Sequence, residues 1–278
     1  MPLVVKVILK KRVSQLISAF LCRMKAKKSY GQHFLVNEDL AWRIADSLSM
    51  NGYTNALEVG PGQGFLTKYL LEKSVNLLVV EADRDMVSYL EKHYPTLKER
   101  IIPADFMKLD LNQFFKDEQF ALIGNYPYNI SSQILFKMLD YRDQIPEMVG
   151  MFQKEVAERV VAPAGSKTYG VISVLIQAFY EGEYLFTVGP ENFNPPPKVQ
   201  SGVIRLQRKA SLDLGCDEKT FKMVVKQAFS QRRKMLRNTM KTLLSEGDIL
   251  EDEFFNQRPE KLSLQDFIQL TKWVEAQQ

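Results

Sequence analysis

The run Asn125-Tyr126-Pro127-Tyr128 places an amide, a rigid turn and two aromatic rings within four residues. These groups suit one difficult reaction, alkylation of the exocyclic amine of adenine. That nitrogen shares its lone pair with the ring and is a poor nucleophile. Two hydrogen-bond acceptors that hold both amine protons favour a pyramidal nitrogen. The Asn125 side-chain oxygen would be one acceptor and the Tyr126 carbonyl the other. Pro127 fixes the turn and brings no competing N–H. Tyr128 offers a ring on which an extruded base can stack. No general base is needed before transfer, because the amine grows more acidic as it is alkylated. Taken alone, the same tetrapeptide also reads as a proline turn with two packed tyrosines.

A second group points to a nucleoside cofactor. Glu58-Val59-Gly60-Pro61-Gly62-Gln63-Gly64 follows an apolar strand and opens a helix. Glycines there let a ligand approach the backbone and leave N–H groups aimed at it. Glu81 ends the next strand, where a doubly wound fold puts the carboxylate that binds ribose hydroxyls. These features fit NAD as well as S-adenosyl-L-methionine. Two details favour the second: the spacing is G-x-G-x-G, and Glu58 would oppose a pyrophosphate but suit an ammonium. Asp105, after a third strand, could accept a hydrogen bond from a cofactor amine, or be a simple turn residue.

The elements that must position these residues follow from periodicity. Helices are predicted over Glu38–Met50, Phe65–Leu71, Met86–His93, Ser131–Leu139, Val156–Val161 and Gly170–Phe179, with Ser131 or Ser132 as N-cap. Strands are predicted over Asn55–Gly60, Leu77–Ala82, Arg100–Pro103, Ala121–Gly124, Met148–Gln153, Tyr184–Val188 and Val199–Leu206. Strand and helix alternate as in an α/β fold, a mostly parallel sheet with helices on both faces. The last two strands lack a helix between them, so one of them should run antiparallel. Around Arg208–Asp217 the pattern turns helical, with short linkers such as Ser245–Asp248.

Composition is that of an ordinary globular chain: 278 residues, 45% hydrophobic and 25% charged, net charge +4. The basic residues are unevenly placed. Eight Lys/Arg and no acid fall in residues 1–37, and eight more with no acid between Lys219 and Lys241. Two such segments suggest a polyanion partner, although either alone could be a solvated face. With Cys22, Cys216, His33 and His93 as the whole cysteine and histidine complement, neither a disulfide framework nor a zinc site is expected. No apolar run suggests a membrane span. The apolar stretch Met1–Leu9 is followed by its charges, the wrong order for a secretory signal. An acid-free basic leader also describes a mitochondrial presequence. The preferred reading takes Met24 as the natural start.

Taken in order, these motifs resemble the KsgA (RsmA) family of small-subunit rRNA adenine dimethyltransferases. The resemblance covers roughly Lys25 to the C-terminus. It is carried by Tyr30–Leu35, Glu58–Gly62, Asn125–Ile130, Gln153–Val156, Tyr169-Gly170, Phe193–Val199 and Phe229–Lys234. It implies a class I S-adenosylmethionine-dependent methyltransferase fold, Rossmann-like with a mostly parallel seven-stranded sheet, and a small all-α C-terminal domain. Residues 1–24 would be an extension outside the folded core, 25–209 the catalytic domain and 210–278 an RNA-binding domain.

The family's cofactor positions fall on His33, Leu35, Gly60, Glu81, Asp105 and Asn125. Position 33 is commonly Asn in relatives, and position 126 often Leu. Phe193 matches an aromatic that covers the other face of the target base, alongside Asn125, Tyr126, Pro127 and Tyr128 as the catalytic set. The implied substrate is a pair of adjacent adenosines in a 3′-terminal hairpin loop of 16S rRNA, within the immature 30S subunit. Each adenosine would receive two methyl groups. The implied enzyme is cytoplasmic and monomeric, with no metal, and meets phosphates through Lys25–Lys28 and a helix around Arg232–Arg237. Rival readings are a large-subunit rRNA methyltransferase of the antibiotic-resistance type, a mitochondrial small-subunit counterpart, an adenine-N6 DNA methyltransferase, a non-catalytic assembly or transcription factor, and a dehydrogenase.

Overall fold

The computed structural model describes residues 31–244 and 248–277. The extension 1–24, Tyr30, the lysines at 25–28 and most of the 245–248 linker lie outside the described residues.

Seven strands form one sheet. They are β2 (Asn55–Val59), β3 (Asn76–Val80), β4 (Ile101–Ile102), β5 (Phe120–Asn125), β6 (Glu147–Gln153), β7 (Tyr180–Val188) and β9 (Ser201–Arg208). Their spatial order is β4-β3-β2-β5-β6-β9-β7. From β4 to β6 all neighbours are parallel, and β9 runs antiparallel to both β6 and β7. The reversed strand is thus the last in sequence, inserted between β6 and β7.

The sheet is apolar on both faces because both are covered. Alternate residues divide between two clusters, Leu57, Leu122, Met148 and Ile204 on one face and Ala56, Ile123, Val149 and Val203 on the other. The second face is covered in part by the helix Glu38–Asp46 through Ala41, Ile44 and Ala45. The first cluster continues without a break into Phe221, Val225, Phe267 and Leu270 of the helices Glu218–Ala228 and Leu264–Glu275. The composition changes near Arg208, but the core runs through.

Several elements depart from the periodicity. The helix from Glu38 stops at Asp46, short of Met50. Buried Glu147 takes the Ser49 N–H (3.1 Å) and hydroxyl (2.6 Å), which turns the chain out of the helix. Neither Ser131 nor Ser132 is an N-cap. The helix Ser131–Asp140 grows directly out of a 3-10 turn, Tyr128–Ile130, with Ile130 at the cap. Ser131 instead donates its hydroxyl back to the Pro127 and Tyr128 carbonyls, at 3.3 and 3.2 Å. Strand β7 starts four residues early, at Tyr180, because its exposed Glu181 and Glu183 mark a charged sheet edge rather than a core strand.

The largest correction concerns Arg232–Arg237. No helix spans it: a 3-10 turn ends at Gln231, residues 232–235 are turn and coil, and a new helix starts at Leu236. Arg232 holds the turn, because its guanidinium donates to the Lys167 and Tyr169 carbonyls of the loop beneath.

Candidate active site

A two-stranded ribbon absent from the sequence reading organises the site. β1 (Phe34–Leu35) pairs antiparallel with β8 (Phe193–Asn194), with Leu35 opposite Phe193. Strands of two residues carry no periodicity. The ribbon brings the segment from Gly31 onward across the carboxyl ends of β2, β3 and β5, where doubly wound sheets bind ligands. A cavity of about 580 Å³ lies there.

His33, Leu35, Gly60, Glu81, Asp105, Asn125, Tyr126, Pro127 and Tyr128 all line this cavity. Phe193 does not. It is 4% exposed and packs into the second core cluster under the ribbon. The structure therefore puts Phe193 behind the wall that Leu35 presents, rather than facing the cavity.

The glycine turn is built for close approach. Gly62 has φ +54°, a left-handed conformation costly for other residues, and a Cβ there would press on the Phe34 ring at 3.0 Å. Its N–H donates to Glu81 Oε2 at 3.1 Å, while Glu81 Oε1 accepts from the Asp83 N–H at 2.9 Å. Glu81 thus braces two loops, and its carboxylate retains lone pairs for a further donor. Burial raises its pKa, against the lowering effect of those backbone N–H groups. Gln32 closes the far side by donating to Asp83 at 3.0 Å. Asp105 caps the turn Phe106–Lys108 by accepting from the Met107 N–H at 3.0 Å. The turn role and a place on the cavity wall coexist there.

Glu58 is 1% exposed, and its Oε2 has no hydrogen-bond partner among the described residues. Burial raises its pKa to about 8, with Glu81 adding repulsion. Thr67 eases the charge slightly, but its hydroxyl makes no hydrogen bond of good geometry, so burial dominates.

The tetrapeptide is held from three sides. Asn125 Nδ2 donates to the His33 carbonyl at 3.0 Å. Tyr128 Oη and Ser201 Oγ share a hydrogen bond of 2.7 Å, and the Tyr128 ring stacks beside His33 with centroids 5.5 Å apart and planes 27° off parallel. His33 Nδ1 donates to the Pro195 carbonyl at 2.8 Å, which leaves Nε2 as the second ring nitrogen. Tyr126 differs from both neighbours. Its N–H donates to the Met151 carbonyl at 3.1 Å and its ring is buried against Phe152. The ring fits because position 150 is glycine: a Cβ there would stand 2.2 Å from Tyr126 Cε2. The hydroxyl has no partner among the described residues, and burial pushes its pKa well up.

Sequence reasoning missed the His33 carbonyl, Ser201 and the Gln32–Asp83 bridge. All three are long-range pairings, and nothing local announces them.

The model of the family described as ribosomal RNA adenine dimethylase matches residues 23–275. The chain belongs to the ribosomal RNA adenine dimethylase family. It is 58% identical over 254 residues to the ribosomal RNA small subunit methyltransferase A of Flavobacterium johnsoniae, covering 91% of this chain and 97% of that one. It is 54% identical to the protein of the same name from Phocaeicola vulgatus, covering 91% of each. Among solved structures, the chain resembles a dimethyladenosine transferase from Plasmodium falciparum. The TM-score is 0.73 at 26% identity, covering 86% of this chain and 96% of that one. The 23S rRNA methyltransferase ErmE shares its fold, with TM-score 0.68 at 21% identity over 87% of this chain and 99% of that one. Among the described residues no helix is long and apolar enough to cross a membrane.

Proposed function

We propose that this chain dimethylates the N6 amines of two adjacent adenosines in the 3′-terminal hairpin loop of 16S rRNA, using S-adenosyl-L-methionine. The observation that carries the site assignment is the Asn125 amide. A carbonyl can only accept, so the contact with His33 fixes Nδ2 on that side and turns Oδ1 the other way. Asn125 Oδ1 and the Tyr126 carbonyl receive no hydrogen bond from a described residue. Those two acceptors are the ones an adenine amine needs.

The cavity fits the cofactor. Gly60 and Gly62 offer backbone at close range, Glu81 faces ribose hydroxyls, Asp105 an adenine amine, and the Glu58 carboxyl an ammonium. His33 and Leu35 close the wall from the ribbon side. When bound, S-adenosyl-L-methionine supplies an electrophilic methyl group on a sulfonium. The protein's part is to hold both amine hydrogens, stack the base on Tyr128 and exclude water. Asn125 can act again on the monomethylated amine, since one remaining N–H still needs an acceptor. The proton lost after transfer passes to solvent.

Phe193 supports the base indirectly, by seating Leu35 and the ribbon. Residues 25–209 form the catalytic unit and 210–278 the RNA-binding unit, with 1–24 as an extension. Arg233 and Lys234, exposed beside the Arg232 clamp, contact phosphate. The particle recognised is the immature 30S subunit, the enzyme is a cytoplasmic monomer, and no metal takes part.

The small-subunit reading rests on relatives above 50% identity with that name, whereas the ErmE likeness speaks for the fold alone. Mass spectrometry of the rRNA 3′ region from cells with and without this protein tests it. Two adjacent dimethyladenosines lost with the gene support the reading; their persistence contradicts it.

A further inference from the structure

Glu58 sits at the carboxyl end of β2 with its side chain sealed in protein on every side but the cavity. The titratable groups that face it bring no positive charge. Glu81 comes from the end of β3, Tyr94 from the end of the helix Arg84–His93, and Tyr126 from the end of β5. Thr67, on the helix Thr67–Leu71, brings a further neutral hydroxyl beside it. His33, Arg84, Asp105 and Tyr128 line other parts of the same cavity. Among the described residues Arg84 does not act on the Glu58 carboxyl and no salt bridge reaches it.

A carboxyl buried beside a second carboxylate, with one oxygen unpartnered, is stable as the neutral acid. A ligand ammonium placed in the cavity beside it reverses that preference, because the cation stabilises the carboxylate. We infer that Glu58 is a proton-releasing ligand for the cationic end of the cofactor, so that filling the cavity expels one proton from the protein into solvent. The Glu58 O–H bond breaks, the electron pair stays on the carboxylate, and buffer takes the proton. The cavity thereby discriminates by charge: an analogue with the amine removed or acylated meets a neutral acid with nothing to pair it. This inference rests on the S-adenosylmethionine reading of the cavity.

Titration calorimetry of the full chain with S-adenosyl-L-methionine, in two buffers of different ionisation enthalpy, reads the proton directly. Below neutral pH the release should approach one proton per site. It should fall to nothing near pH 8 and turn to uptake above it, because the ligand's own α-amino group, with a pKa of about 8, must then gain a proton on binding. Glu58→Gln should bind more weakly, by roughly tenfold, and release no proton. Wild-type binding with no buffer dependence overturns the inference, as does undiminished release in Glu58→Gln, which would assign the proton to another group. If the variant binds too weakly to titrate, the wild-type Kd decides. It should tighten by up to about tenfold per pH unit as pH rises toward about 7 and weaken again above about 8, where the ligand amine loses its proton; a Kd that does not tighten on the acid side overturns the inference. No binding by the wild type at any pH would instead remove the cofactor reading on which it stands.

Discussion

Asn125 Nδ2 donates to the His33 carbonyl at 3.0 Å, joining residues 92 positions apart in sequence. The bond makes the ribbon residue an orienting group for the amide. His33 is held in turn through Pro195 and the Tyr128 ring. His33 thus contributes through a main-chain atom that any residue has.

Asn125→Ala should bind S-adenosyl-L-methionine nearly as well as wild type, yet lose methyl transfer by roughly 10²–10³-fold, the range for removing one oriented polar group from a transition state. Cofactor titration and single-turnover transfer measured on the same preparation check this. Full transfer in the variant would remove the amide from the mechanism.

Tyr126→Phe should leave transfer unchanged and hold or raise stability, by about 1 kcal/mol, because a buried hydroxyl without a partner costs desolvation. Gly150→Ala should do the opposite. Its methyl would collide with the Tyr126 ring, at a cost of roughly 1–3 kcal/mol for overpacking. Denaturant unfolding compares the two, and a strongly destabilised Tyr126→Phe would show that the hydroxyl has a partner after all.

The pH dependence of stability follows from Glu58. Its folded pKa, about 8, lies above its ordinary value of 4.5, so the folded protein holds a proton that the unfolded chain gives up. Its contribution is full below 4.5 and is lost as pH rises toward about 8, by at most about 1.4 kcal/mol per pH unit. Without cofactor, Glu58→Gln should therefore gain on wild type as pH rises through that window and show little advantage at its acid end. Melting curves across the window test this; a constant difference would assign the effect to packing.

Arg232 and Arg233 should separate. Arg232→Ala removes hydrogen bonds to Lys167 and Tyr169, so it should lower stability by about 1 kcal/mol. Arg233→Ala should leave unfolding unchanged but weaken RNA binding and reduce the salt slope by about one. Equal effects of both variants on the salt slope would make Arg232 a phosphate contact too.

The parallel sheet was readable because its strands are short apolar runs, as at Asn55–Val59, which ends at Gly60, and Phe120–Asn125. Glu58, Glu81 and Asn125 stood out because polar groups at strand ends have few structural uses. Three things were not readable. The β1–β8 ribbon is too short to show a period, and β7 carries the charges of a sheet edge. The basic run after Phe229 reads as a helix until Arg232 finds its carbonyls across the seam. The buried Tyr126 ring depends on a missing Cβ at Gly150, one strand away.

Methyl transfer from labelled S-adenosyl-L-methionine to separated ribosomal particles tests the central claim most directly. The purified chain should label immature 30S particles, with digestion yielding N6,N6-dimethyladenosine, and should leave 50S particles and duplex DNA unlabelled. Label confined to 50S particles, or none on any RNA, would contradict the account.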